Sequence, residues 1–307
     1  MAERIGADKV LEPNTYNISI VGLGKLGQAL ADQLTGCSVK GWDIIDTGHE
    51  CQTGTLYEAI EDADTIFIVV PSQHFETTVR NIIREYSNHR RWHDAVNVKL
   101  ISFTKGICSG RLPIEILQRE LPHNPVGVIS GPMLSEELYH KQTHAMLASH
   151  NIDLFGRSEI GTRLGNIRLY STDDVVGVTM CGIVKNIYAI GMGMLAGCSA
   201  GDNARSCFAT MALNEMSQFT EDTILSYSGV GDFLTTCYSS KSRNYTYGYE
   251  LANNREVDHI MSEGANNIDH VLKYSSVDLP IVSTIKSCLE ARDVEPLQSF
   301  LKSYRAV

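Results

Sequence analysis

Short apolar runs bounded by turn residues recur through the first half of the chain, and each predicts a strand. Asn17–Val21 is the first and Ser38–Asp43 the second. Ala63–Val70 is nearly continuous in apolar residues, the pattern of a parallel strand buried on both faces. Lys99–Phe103, Val126–Ile129, Thr143–Ser149 and Ile167–Tyr170 complete the set. Stretches at helical spacing separate several of them, beginning with Gln28–Leu34. Such alternation predicts a doubly wound, parallel-rich sheet. Beyond about Ser171 it gives way to helical periodicity. Asp173 or Asp174 can cap a helix running through Lys185 to Leu195, and Asp202-Asn203 can cap another from Ala204 to Phe219. Pro280 and Pro296 punctuate the last helices. The expected organisation is an α/β unit over residues 1–171 and an all-α unit over residues 172–307.

The first strand runs directly into Gly22-Leu-Gly24-Lys-Leu-Gly27, a G-x-G-x-x-G between strand and helix. In that setting Gly22 makes the tight turn, Gly24 lets backbone approach a pyrophosphate, and Gly27 lets the helix pack on the strand. The helix N-terminus then faces the phosphates. This makes the first unit a Rossmann-like dinucleotide fold. Asp43 lies about 20 residues past the glycines, where an acid can bond the ribose 2′-hydroxyl and repel a 2′-phosphate. That favours NAD over NADP. The alternatives at these positions are an ordinary βα turn and an ordinary strand-end aspartate. Lys105, in the turn after the Lys99–Phe103 strand, is either a surface lysine or a cation facing an anionic or carbonyl substrate.

One residue stands out in the helical half. Lys185 sits in Gly182-Ile-Val-Lys-Asn186-Ile-Tyr-Ala-Ile, among apolar and small residues. A buried ammonium is costly unless a carboxylate or ligand meets it. Lys185 either snorkels to water or is a desolvated proton donor. Asp232, in a glycine-flanked turn of the same half, is a candidate partner.

Composition narrows the classes. At 307 residues, 43% hydrophobic and 20% charged, the chain can bury a sizeable core. A net charge of −10 argues against a general nucleic-acid binder. No apolar run is expected to span a bilayer, and the N-terminal residues lack the apolar core of a secretory signal. Eight scattered cysteines without a C-x-x-C pair read as reduced thiols. The polar cluster His89-Arg-Arg-Trp-His93 reads as a solvated loop, because no metal-ligand spacing accompanies it.

Taken together, these motifs resemble the bacterial-type, soluble NAD-dependent glycerol-3-phosphate dehydrogenases, nearly end to end. The resemblance runs from the glycine loop through Val70-Pro71-Ser72, Thr104-Lys105-Gly106, Ser130-Gly131-Pro132 and Lys185-Asn186. It continues through Gly201-Asp202-Asn203, Gly231-Asp232-Phe-Leu-Thr-Thr236-Cys237, Ser242-Arg243-Asn244, Gly248, Glu263-Gly264 and Leu279-Pro280-Ile281. It implies Lys185 as proton donor, Asp232 as the residue holding it, and Lys105 as a second catalytic lysine. It implies substrate contacts from Asn186, Thr236, Arg243 and Asn244. It implies cofactor contacts from Gly22, Gly24, Lys25, Leu26, Gly27, Asp43, Pro71, Arg243 and Glu263, and no metal. It further implies NAD as cofactor, dihydroxyacetone phosphate and glycerol 3-phosphate as substrates, a cytoplasmic homodimer, and no nucleic-acid or membrane partner. The chain departs from the family pattern at Met133-Leu134-Ser135, at Met211-Ala212 where arginine and glycine are usual, and at Tyr245-Thr246 where basic residues are common. These departures keep two alternatives open: a same-fold dehydrogenase for another phosphorylated or carboxylated ketone, and a non-catalytic NAD(H) sensor.

Overall fold

A computed structural model describes residues 3–4, 16–89, 97–155, 160–220, 222–255 and 262–303. The chain forms two compact units, Met1–Val178 and Thr179–Val307.

The first unit is built on one sheet. Its strands are β1 (Glu3–Arg4), β2 (Asn17–Val21), β3 (Ser38–Trp42), β4 (Thr65–Ile68), β5 (Lys99–Ser102), β6 (Val126–Ser130), β7 (Thr143–Ala148) and β8 (Ile167–Thr172). They lie in the order β1-β8-β7-β6-β5-β4-β2-β3. From β3 to β6 every pairing is parallel. The β6–β7 and β1–β8 pairs are antiparallel, whereas β7–β8 is parallel. The sheet is therefore parallel-rich but not parallel throughout. The link from Ser130 to Thr143 holds a single helical turn, Ser135–Leu138, and returns along the same edge instead of crossing over. Ile18, Ile20, Phe67, Ile101, Ile129 and Leu147 share one face of the sheet with Ala29 and Leu30 of α1 (Lys25–Gln33). Helices α2 (Leu56–Ile60), α3 (Ser72–Asn88) and α4 (Pro113–Glu120) follow β3, β4 and β5. His89 stacks on Tyr57, with ring centroids 3.5 Å apart. The rest of the predicted 89–93 loop lies outside the described residues. Among the described residues, no three His, Cys, Asp or Glu side chains are grouped to hold a metal ion.

The second unit is helical. Helix α5 (Val175–Gly197) begins where the Asp174 carboxylate accepts the Gly177 N–H at 2.8 Å. By length and composition α5 could cross a membrane, contrary to the expectation that no apolar run would. Yet 94% of its apolar window is buried inside the protein, so it is the core helix of its unit. Helix α6 (Asp202–Ser217) starts two residues earlier than predicted. Gly201 holds the N-cap position, and Asp202 sits in the first turn paired with Arg205. Helices α7 (Asp232–Cys237), α8 (Arg243–Ala252), α9 (Glu263–Tyr274), α10 (Pro280–Ala291) and α11 (Glu295–Ser303) follow. The glycines of α5 have a packing reason. A Cβ on Gly193 would fall 2.0 Å from the Tyr245 carbonyl oxygen, and one on Gly248 2.0 Å from that of Ile190. Helices α5 and α8 thus cross backbone to backbone, which larger residues would prevent.

Candidate active site

The glycine loop takes its shape from sterics. Gly22 has φ +104°, and a Cβ there would lie 2.4 Å from the Val69 carbonyl oxygen. A Cβ on Gly27 would lie 1.9 Å from the Gly22 oxygen, so the loop and the start of α1 touch without side chains. Gly24 is the N-cap of α1, and a Cβ there would meet nothing within 4 Å. Open room therefore lies in front of helix N–H groups, and no acidic residue occupies the first turn of α1. An anion is favoured there. Lys25 is exposed and Leu26 half-buried beside it.

Asp43 closes this loop from the end of β3. One carboxylate oxygen accepts the Leu23 N–H at 2.7 Å and the other accepts the Ile45 N–H at 3.2 Å. Each oxygen keeps further acceptor capacity for a sugar diol. Ile44 and Ile45 are 86% and 65% exposed, leaving apolar surface next to the carboxylate. The open space at Gly24, the helix N-terminus and a second-strand acid together fit a dinucleotide.

The turns at the carboxyl edge of the sheet are laced together. Exposed Pro71 is the N-cap of α3. Thr104 Oγ1 donates to the Val70 oxygen at 2.7 Å. Lys105 Nζ donates to the Gly131 oxygen at 3.2 Å, tying the turn after β5 to the turn after β6. The neighbouring Ser130 hydroxyl is buried and has no hydrogen-bond partner among the described residues.

In the second unit Lys185 is 5% exposed, so it does not snorkel to water. Its Nζ donates to Asp232 Oδ1 at 2.7 Å and to Thr236 Oγ1 at 2.6 Å. Thr236 Oγ1 also donates to Asp232 Oδ1, at 3.4 Å. Asp232 and Thr236 lie one turn apart on α7, and both are buried. The three groups form a closed triangle around the ammonium, which supports the charged form of the lysine. Asn186, the next residue on α5, is buried as well. Cys237 packs under the same turn, its sulfur 3.9 Å from the Lys185 carbonyl oxygen. Burial pushes that thiol far above the ordinary range, so it is an inert neighbour.

Arg243 and Asn244 are adjacent but face differently. Arg243 is exposed in the first turn of α8. Asn244 is buried, and its amide oxygen accepts from Ser262 Oγ at 2.9 Å and from Gly264 N at 3.0 Å. It therefore holds the start of α9, where half-buried Glu263 occupies the first turn. The sequence reading overlooked Glu215. It is 4% exposed and accepts the Tyr188 hydroxyl at 3.2 Å together with the Ile281 and Val282 N–H groups at 2.7 and 3.1 Å. Burial raises its carboxyl above the usual range, opposed by those bonds. A lone acid inside Met211-Ala-Leu-Asn-Glu-Met was the available signal.

A strand–glycine loop–helix turn and a buried lysine–aspartate pair are the parts of a dinucleotide-dependent oxidoreductase. Residues 49–154 match the family model for the N-terminus of NAD-dependent glycerol-3-phosphate dehydrogenase, and residues 174–298 match the model for its C-terminus. The chain belongs to the NAD-dependent glycerol-3-phosphate dehydrogenase family and is an oxidoreductase acting on CH–OH groups. It is 31% identical to "Glycerol-3-phosphate dehydrogenase [NAD(P)+]" of Acinetobacter baylyi, over 89% of this chain and 84% of that one. It is 35% identical to the protein of the same description from Alcanivorax borkumensis, over 82% of each. A crystal structure of glycerol-3-phosphate dehydrogenase from Coxiella burnetii superposes with a TM-score of 0.81 at 27% identity, covering 94% of this chain and 98% of that one. The glycine loop precedes the matched N-terminal range, so its assignment rests on its own geometry.

Proposed function

We propose that the chain interconverts dihydroxyacetone phosphate and sn-glycerol 3-phosphate, with Lys185 as the proton donor in reduction. The observation that carries this reading is the buried triangle of Lys185, Asp232 and Thr236. A bound nicotinamide would supply the hydride to the carbonyl carbon in reduction and take it back from the carbinol carbon in oxidation. Negative charge then develops on the carbonyl oxygen, and Lys185 Nζ gives that oxygen a proton. Asp232 keeps the ammonium charged beforehand and stabilises the arrangement through Thr236. Lys105 contributes a second positive charge for the same oxygen. Arg243 offers its guanidinium fork to the phosphate, with Asn186, Asn244 and Thr236 as polar neighbours of the substrate.

For the cofactor, Gly22, Gly24, Lys25, Leu26 and Gly27 receive the pyrophosphate, Asp43 the adenine ribose, and Pro71, Arg243 and Glu263 the remainder. Asp43 supports NAD over NADP, since its carboxylate repels a 2′-phosphate; the relatives' description admits both. All eight cysteines are free, which supports a reducing, cytoplasmic setting. A homodimer rests on the family resemblance, and so does the expectation of no nucleic-acid or membrane partner; the net charge of −10 also supports the absence of a nucleic-acid partner.

Oxidation of NADH measured with dihydroxyacetone phosphate, beside related phosphorylated and carboxylated ketones, tests the proposal. Preferred turnover of dihydroxyacetone phosphate is expected, with NADPH the poorer reductant. Folded protein that binds NADH but leaves dihydroxyacetone phosphate unreduced contradicts the substrate. A preference for NADPH contradicts the role given to Asp43.

A further inference from the structure

The segment before Asp232 is a wide helical turn, Tyr227–Gly231, that runs into α7 but is kinked within. Gly229 interrupts it with φ −85° and ψ −109°. Three backbone bonds fix the turn. Ser226 N donates to the Thr223 oxygen at 3.0 Å, Val230 N to the Ile224 oxygen at 2.8 Å, and Gly231 N to the Ser226 oxygen at 3.2 Å. The Asp232 N–H donates to the Gly229 and Tyr227 carbonyl oxygens, so the residue that holds Lys185 hangs directly from Gly229. The Ser226 hydroxyl accepts the Gly229 N–H at 3.4 Å from the other side.

The two glycines of Gly229-Val-Gly231 differ sharply. A Cβ on Gly229 would lie 2.1 Å from the Ile224 oxygen and 2.5 Å from the Thr223 oxygen, both backbone atoms. A Cβ on Gly231 would meet nothing nearer than the Ser226 oxygen at 3.5 Å, and its backbone is already helical. Any side chain at 229 must force the two backbone segments apart by about 1 Å, a misplacement large enough to cost a reaction about a hundredfold. The Ile224 oxygen that would be displaced is the acceptor of Val230 N, so the support of Asp232 is lost with it.

We infer that Gly229 is a positioning residue for the reaction: the absence of its side chain sets Asp232 at contact distance from the Lys185 ammonium. The inference rests on the reading of Lys185 as proton donor. In the reducing direction the ammonium is the required form, so kcat falls as pH rises through the lysine's ionisation. Asp232 favours the charged form, and moving it away brings that fall to lower pH.

The experiment compares Gly229→Ala, Gly231→Ala and Lys185→Met in the full chain. Gly229→Ala is expected to lower kcat by about tenfold to a hundredfold, with NADH affinity unchanged and the alkaline limb of the kcat profile moved to lower pH. Gly231→Ala stays within about twofold of the parent enzyme, with an unmoved profile. Ser226→Ala, which releases the Gly229 N–H without adding bulk, moves the limb in the same direction by less, and serves if Gly229→Ala does not fold. An unmoved profile in Gly229→Ala, or in Ser226→Ala where the alanine variant at 229 is unfolded, overturns the inference. So does equal behaviour of the two glycine variants. Loss of activity in Lys185→Met alongside an unaffected Gly229→Ala removes this inference and leaves the proton donor standing. Activity retained by Lys185→Met removes both.

Discussion

The glycine loop and the lysine triangle are made in opposite ways. The loop is six consecutive residues, and its geometry follows from which positions lack a side chain. The triangle is made of side chains brought together across 47 and 51 residues of chain. A local site of the first kind survives as long as its strand and helix form. A site of the second kind depends on every crossing that sets one helix against another. Damage to the loop and damage to the triangle should therefore separate into cofactor affinity on one side and turnover on the other.

Asp232→Asn is the sharpest way to test that separation. It leaves a buried ammonium without its counter-charge, so folding stability should fall by about 3–5 kcal/mol. Turnover should drop by about 10²–10⁴, and the folded fraction should still bind NADH with its original affinity by fluorescence titration. Next comes Gly248→Ala, whose added carbon meets the Ile190 backbone oxygen at 2.0 Å. Denaturant unfolding should show a loss of about 3 kcal/mol as α5 and α8 are forced apart. Gly27→Ala is the reciprocal case. It should weaken NADH binding by about tenfold or more while the Lys185-dependent pH profile of kcat at saturating NADH stays in place.

The smallest effect concerns Glu215. Its carboxyl is raised by burial, so the folded state holds the proton more tightly than the unfolded chain does. Its contribution to stability is complete below the ordinary glutamate value of 4.5 and is lost as pH rises through the raised folded value. Glu215→Gln should abolish that part of the slope in unfolding free energy measured across this window. An unaltered slope would assign it to other groups.

The same local-versus-assembled contrast decides what could be read without a structure. Strand β2 spans the predicted residues, Asn17–Val21, because its short apolar stretch ends at the Gly22 turn. The glycine loop is legible because its spacing is contiguous. Lys185 is legible by its incongruity in an apolar helix, and its partner by a carboxylate in a glycine-flanked turn. The reversal between β6 and β7 is not, since an apolar run carries no direction and only the connection decides it. The work of Gly193, Gly248 and Gly229 shows only once the carbonyl oxygens they face are known. Asn244 reads as a ligand contact by its place beside Arg243, yet its amide oxygen bonds Ser262 and Gly264, which lie 18 and 20 residues away. Glu215 hides for the same reason: the N–H groups that explain its burial belong to a helix 66 residues further on.

The most direct measurement is single-turnover reduction of dihydroxyacetone phosphate by Lys185→Met preloaded with NADH, set beside its equilibrium NADH affinity. With Lys185 as the proton donor, the hydride-transfer rate falls by about 10²–10⁴ while NADH affinity is retained. A rate close to that of the unaltered enzyme in a folded, NADH-binding variant would contradict that role.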